Sequence, residues 1–308
     1  MTLPSSATPK NTPLSPLKGV RILSLALNLP GPAALMRLRS MGAQCTKLEP
    51  LAPAGAITAD PMGLYKPAAY EAMHQGVQVV QADLKTERGQ GRLHKLLART
   101  DVLITSFRPS ALTKLGLDWR ALHRQYPALC MVSVVGASGV RAEEPGHDLT
   151  YLAENGLVNG LDMPASLYAD MGGSLLTTET VLQALLMRQR PGRALGRGVF
   201  QEVALSNAAA YLALPRSWGL TTSDGDVGGA HAGYRVYPCK NGRVAVAALE
   251  PHFALRLCEA AGLPQGAAQQ MHKRNTHQAL ATFFANQTRQ QLDRLARSKD
   301  IPLHSLPR

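Results

Sequence analysis

The sequence predicts an α/β protein: a large domain built on a parallel sheet, followed by a smaller α+β domain. Three observations predict it. Between Val20 and Val135, short apolar runs of strand character alternate with stretches of helical periodicity. The first two strands are joined through a helix, as the right-handed crossover of a β-α-β unit requires. Past a polar, glycine-rich stretch at 221–233 the pattern changes to a pair of strands followed by helices. A chain of 308 residues, 45% hydrophobic and 18% charged, can bury the core that two such domains need.

Val20 to Ala26 reads as the first strand, and Leu29-Pro30-Gly31-Pro32 as the turn after it. Ala33 to Met41 has helical spacing and is ended by Gly42, after which Gln44 to Leu48 returns to an extended pattern. Residues 52–73 are rich in proline, glycine and alanine without a period, which predicts a long surface loop. Val77 to Ala82 resumes a strand. A helix from Glu87 to Ala98 follows, with Leu93, Leu96 and Leu97 on one face. Then come a strand at Asp101 to Thr105, a short helix around Trp119 to Tyr126 and a strand at Leu129 to Val135. Helices are expected at 148–156, 174–190 and 207–215, with a strand at Val199 to Leu205. The large domain is set at 17–220, the linker at 221–233 and the small domain at 234–308, with strands near 235–237 and 243–247 and helices at 252–261, 277–285 and 288–297.

Residues 1–16 hold no apolar block and read as a flexible tail rather than a signal peptide. No apolar run reaches the length that crosses a bilayer. Cys45, Cys130, Cys239 and Cys258 are scattered and form no Cys-x-x-Cys pair, which speaks against a disulfide framework or a zinc site and for a reducing cytoplasm. Thirty-three basic against 21 acidic residues give a net charge of +12, a surface that gathers polyanions such as nucleic acid, a membrane surface or a phosphorylated cofactor. With only five Phe, two Trp and eight Tyr and no recognisable module, nucleic acid is the weaker candidate. Walker A, Gly-x-Gly-x-x-Gly, His-Glu-x-x-His and Gly-x-Ser-x-Gly sequences are all missing, so nucleotide hydrolysis, a standard dinucleotide site, zinc proteolysis and α/β-hydrolase chemistry lack their signatures.

An ordered series of segments carries more specific information. It comprises Leu17-Lys18-Gly19-Val20-Arg21-Ile22-Leu23 with Pro30-Gly31-Pro32, Met41-Gly42-Ala43, Lys47-Leu48-Glu49-Pro50, Asp83-Leu84-Lys85, and Asp101 to Pro109 with Leu115-Gly116-Leu117. Gly146-His147-Asp148, Asp170-Met171-Gly172-Gly173 and Gly196-Arg197-Gly198 complete it. Over nearly the whole chain after Pro16 this order resembles the class III CoA-transferase family, the CaiB/BaiF type. Gly-His-Asp followed by Tyr151, together with Leu249-Glu250-Pro251-His252-Phe253, resembles its alpha-methylacyl-CoA racemase branch. The resemblance implies the class III CoA-transferase fold, with a Rossmann-like parallel-sheet large domain, and a homodimer. It also implies an acyl-CoA substrate that brings coenzyme A with it, no permanently bound cofactor, no metal, and neither nucleic acid nor membrane as partner. The chain departs from the family pattern in four places. Met73 to Gln78 stand where an Asn- and Lys/Arg-containing run helps hold CoA, and Pro50 stands where racemases carry arginine. The loop between His147 and Asp170 is shortened, and the return segment that family members carry past the region matching Ile301-Pro302-Leu303 is expected to be absent.

Carried over residue by residue, the resemblance makes His147 and Asp170 the two acid-base residues, Glu250 the partner of the histidine and Tyr151 a supporting tyrosine, with Arg108, Phe107 and Lys85 holding CoA. The residue types suit 1,1-proton transfer at the α-carbon of a 2-methylacyl-CoA thioester, which needs a base on one face, an acid on the other, and donors for the enolate oxygen. Two alternatives use the same residues. Asp170 attacks the thioester, giving an Asp170 acyl anhydride and free CoA thiolate, by way of which CoA is transferred to a carboxylate acceptor; or the protein is a catalytically impaired family member that binds CoA. Plainer roles stand beside these: a loop histidine that starts a helix for His147, an N-cap before the helix at Ser174 for Asp170, a first-turn acid for Glu250, and an exposed turn arginine for Arg108. Arg188, Arg190, Arg193 and Arg197 read as a solvated helix end.

Overall fold

The computed structural model describes residues 14–190 and 196–308, so most of the expected tail and Arg193 lie outside the described residues. The chain divides into two compact units, the first ending at Leu212 and the second running from Ala213 to Arg308. That division falls before the stretch at 221–233 taken as the linker. This stretch is tied instead to the second unit, since the Ala232 amide donates to the Met271 carbonyl (2.9 Å) and His277 Nε2 meets the Ala230 carbonyl (2.9 Å).

In the first unit the order is β1 (Arg21–Ser24), α1 (Pro30–Ser40), β2 (Gln44–Glu49), α2 (Pro61–Tyr65), α3 (Pro67–His74), β3 (Gln78–Gln81), α4 (Glu87–Leu97) and β4 (Val102–Thr105). It continues with α5 (Pro109–Lys114), α6 (Trp119–Gln125), β5 (Cys130–Val135), α7 (Asp148–Glu154), α8 (Tyr168–Gln189), β6 (Phe200–Ala204) and α9 (Leu205–Leu212). The six strands pair in parallel in the order β3-β2-β1-β4-β5-β6. Alternation along each strand feeds both faces, as period-two geometry requires. Ile22, Val102, Ile104 and Val132 pack into one core with α1 and α8, while Leu23, Leu103 and Met131 pack into another with α4 and α6.

Two expectations are corrected. The loop foreseen at 52–73 contains α2 and α3, each started by a proline at its first position, Pro61 and Pro67, where a missing N–H costs nothing. They are one and two turns long, too short for a period to show. The long helix begins at Tyr168 instead of Ser174, so Asp170 lies inside its first turn and does not cap it. Gly172 and Gly173 sit in its second turn, where α9 crosses: a Cβ on Gly173 would collide with the Leu205 side chain.

The second unit begins with α10 (Leu214–Ser217). It contains an antiparallel sheet of β7 (Tyr234–Cys239), β8 (Gly242–Ala247) and β9 (Leu303–Leu306), β8 being central. One face is covered by α11 (Pro251–Ala260), α12 (Arg274–Ala285) and α13 (Arg289–Lys299), which enclose Leu257, Leu280, Phe284 and Leu292 against Val244 and Val246.

Candidate active site

In an open parallel sheet, ligands bind beyond the carboxyl ends of the strands where the strand order reverses. Here the reversal lies between β1 and β4, the first flanked by β2 and the second by β5. A cleft of about 170 Å³ opens at those ends. The segment after β1 contributes Leu27, Asn28 and Pro30, the segment after β4 contributes Ser106, Phe107 and Arg108, and Gly136 follows β5. His147 and Tyr151 enter with α7, and Asp170 with α8. Five of the residues singled out from the sequence in the first unit, Phe107, Arg108, His147, Tyr151 and Asp170, thus line one cleft.

His147 occupies the N-cap position of α7, with its amide donating to Thr150 Oγ1 (3.1 Å) and its carbonyl accepting from the same hydroxyl (2.7 Å). The backbone thus starts the helix and leaves the imidazole, on an exposed residue, at the cleft. Tyr151 is buried one turn on. Its hydroxyl lies so close to Gly136 and Gly146 that a Cβ on either would collide with it, which explains both glycines. Burial first, and then the Asp170 carboxylate, raise the Tyr151 phenol.

The Asp170 carboxyl is pushed up to about 7, by burial above all and then by the neighbouring Asp148 carboxylate. Asp148 is itself buried and accepts a hydrogen bond from the Asp170 amide (3.0 Å), which ties α7 to the first turn of α8. The sequence singled out neither this role nor that of Glu143. The Glu143 carboxylate accepts from the amide (2.7 Å) and hydroxyl (2.8 Å) of Ser110 and so fixes the start of α5 behind Arg108. Only long-range contacts reveal either function.

A second cleft of about 410 Å³ shares Phe107 with the first and reaches Lys85, Asp83, Leu48 and Pro50. Arg108 and Lys85 are both exposed. Glu250 belongs to the second unit, where it is the exposed N-cap residue of α11 and makes no side-chain capping bond.

Among the described residues, one trio of ligating side chains, Glu49, Asp60 and His74, is close enough together to surround a metal ion. The Lys47 ammonium already lies among them, 3.1 Å from Glu49 Oε1, 3.0 Å from His74 Nε2 and bonded to Asp60. The positive charge of this trio is therefore a lysine.

The model of a family described as CoA-transferase family III matches residues 17–307. The chain belongs to that family. Alpha-methylacyl-CoA racemase of Mus musculus is 29% identical over 80% of this chain, and the chain spans 65% of that relative's length. A succinate–glutarate CoA-transferase of Agrobacterium fabrum is 28% identical over 80% of the chain and 67% of its own length. Among solved structures, Rv3272 from Mycobacterium tuberculosis aligns over 96% of this chain and 84% of its own with a TM-score of 0.79 at 22% identity. A CaiB/BaiF family protein from Brucella suis does so over 96% and 85% with a TM-score of 0.74 at 23% identity. These likenesses establish that the class III fold expected from the sequence is the fold of the chain. No helix among the described residues is long and apolar enough to cross a membrane.

Proposed function

We propose that this member of CoA-transferase family III acts on acyl-CoA thioesters, with the acyl end in the Asp170 cleft and the CoA moiety toward Phe107, Arg108 and Lys85. Asp170 and His147 exchange the proton on the carbon next to the thioester, one on each face. The observation that carries this reading is the Asp170 carboxyl, pushed up to about 7. Near neutral pH such a group is present as both acid and base, as a residue that donates to and abstracts from one face of a planar enolate must be. The His147 imidazole, which lines the same cleft, is the candidate base for the other face. Tyr151, buried beside Asp170, offers a hydroxyl to the developing charge. Glu250 enters the reading through the Leu249-to-Phe253 motif alone.

CoA transfer to a carboxylate acceptor is the second reading, supported by the similarity to the Agrobacterium enzyme. It asks Asp170 to attack as an ionised nucleophile. A carboxyl with its midpoint near 7 is substantially protonated at neutrality, which favours proton transfer. The two readings separate on variants. His147→Ala should depress α-proton exchange from one enantiomer of a 2-methylacyl-CoA far more than from the other, and Asp170→Asn should show the opposite bias. Equal losses from both enantiomers in both variants would remove the two-face assignment.

A further inference from the structure

Lys47 is fully buried and is among the largest such side chains of the described residues. Its ammonium meets Asp60 Oδ2, Glu49 Oε1 and His74 Nε2. His74 Nδ1 lies 2.6 Å from the Tyr70 carbonyl, so that nitrogen carries the proton and Nε2 accepts from the lysine. The Tyr70 hydroxyl donates to Glu49 Oε1 (2.6 Å), and the Thr58 hydroxyl donates to Glu49 Oε2. All four carboxylate oxygens are engaged, the last being Asp60 Oδ1. That oxygen accepts two backbone amides, Met62 (2.9 Å), where it caps α2, and Asn28 (3.0 Å). Asn28 lines the cleft and has φ of 64°, the left-handed region that costs most residues a Cβ clash.

We infer that Asp60 is a positioning residue for the cleft: anchored on one oxygen by the buried Lys47 ammonium, it holds with the other the amide of Asn28, and so keeps the cleft-lining turn between β1 and α1 in its left-handed conformation. The inference rests on the reading of the cleft as an acyl-CoA site. Asp60 also caps α2, which ends at Tyr65. Gly63 lets this helix sit against Thr58, since a Cβ there would collide with the Thr58 methyl. An isosteric amide in place of Asp60 cannot serve both neighbours. With its oxygen toward Lys47 it turns an NH₂ toward the Asn28 amide, and with its oxygen toward Asn28 it turns the NH₂ toward the ammonium.

The test uses the full chain, with CoA affinity by calorimetry and hydrogen–deuterium exchange of the segment holding Asn28. Asp60→Asn should weaken CoA binding about tenfold, the scale of one lost hydrogen bond at a preorganised site, and should speed exchange of the Asn28 amide in the free protein. In an Asn28→Gly background the same substitution should cost about threefold or less, because glycine takes positive φ without strain. An equal loss in both backgrounds would overturn the positioning role. Should Asp60→Asn fail to fold, Asn28→Gly and Asn28→Ala keep the buried network and both remove the side-chain amide. The glycine variant should then bind CoA about fivefold more tightly than the alanine variant, and equal affinities would overturn the role. Wild-type protein that protects the Asn28 amide yet binds no CoA would overturn the acyl-CoA reading, and the role in CoA binding with it. Wild-type binding with an unaffected Asp60→Asn would overturn the positioning role alone.

Discussion

Asp60 and Asp170 are carboxylates of the same unit, both close to the cleft, and they are neutralised in different ways. Asp60 is fully buried and has an ammonium on one oxygen and two backbone amides on the other. Asp170 is partly buried, has another carboxylate, Asp148, beside it, and is pushed up to about 7. A fully matched carboxylate fixes geometry, whereas one left near its midpoint can exchange a proton. The difference suits the first to structural work and, under the proposed function, the second to proton transfer.

The largest effect that could break this contrast comes from removing the cation. Lys47→Met leaves Glu49 and Asp60 buried with their common counter-ion gone and should cost about 3–5 kcal/mol of folding stability, read by denaturant titration. A loss below about 1 kcal/mol would mean that the network is not held by charge.

The pH dependence of stability tests the other carboxylate. A carboxyl whose folded pKa stands above its unfolded value penalises the folded state above the folded pKa and contributes nothing below the unfolded one. With Asp170 at about 7 against the ordinary 3.8, Asp170→Asn should be more stable than wild type by roughly 2–4 kcal/mol at pH 8 to 9. The advantage should fade as pH falls through 7 and vanish below about 4. A difference that does not vary with pH would contradict the raised pKa.

Arg108 lines the same cleft as Asp170 and is exposed. Arg108→Ala should weaken CoA binding by roughly 1.5–3 kcal/mol, the range for a hydrogen bond to a charged group, while leaving folding stability within about 0.5 kcal/mol. Unchanged CoA affinity would remove Arg108 from the binding surface.

Most of the sheet is legible in the sequence because its central strands are buried on both faces, and Val102 to Thr105 and Cys130 to Val135 are continuous runs without an exposed residue. β9 escapes notice, since Leu303 to Leu306 is four residues long between two prolines and its pairing with β8 is the contact that defines it. α8 starts earlier than its spacing suggests because glycine normally argues against helix, and here Gly172 and Gly173 serve a helix crossing. His147, Tyr151 and Asp170 could be picked out through short motifs and are brought together by the fold. The Lys47 network could not. Its members come from β2, α3 and a stretch that reads as loop, and nothing local marks a lysine as buried or Asp60 as the bond partner of Asn28.

The most direct measurement incubates the protein with a 2-methylacyl-CoA in deuterated water and follows the α-proton together with the mass of the chain. Proton transfer through Asp170 and His147 replaces the α-proton by deuterium starting from either enantiomer, leaves no covalent adduct, and falls by about 10²-fold or more in Asp170→Asn. An adduct on Asp170 that hydroxylamine traps, with no exchange at the α-carbon, would contradict the account and make Asp170 a nucleophile of CoA transfer.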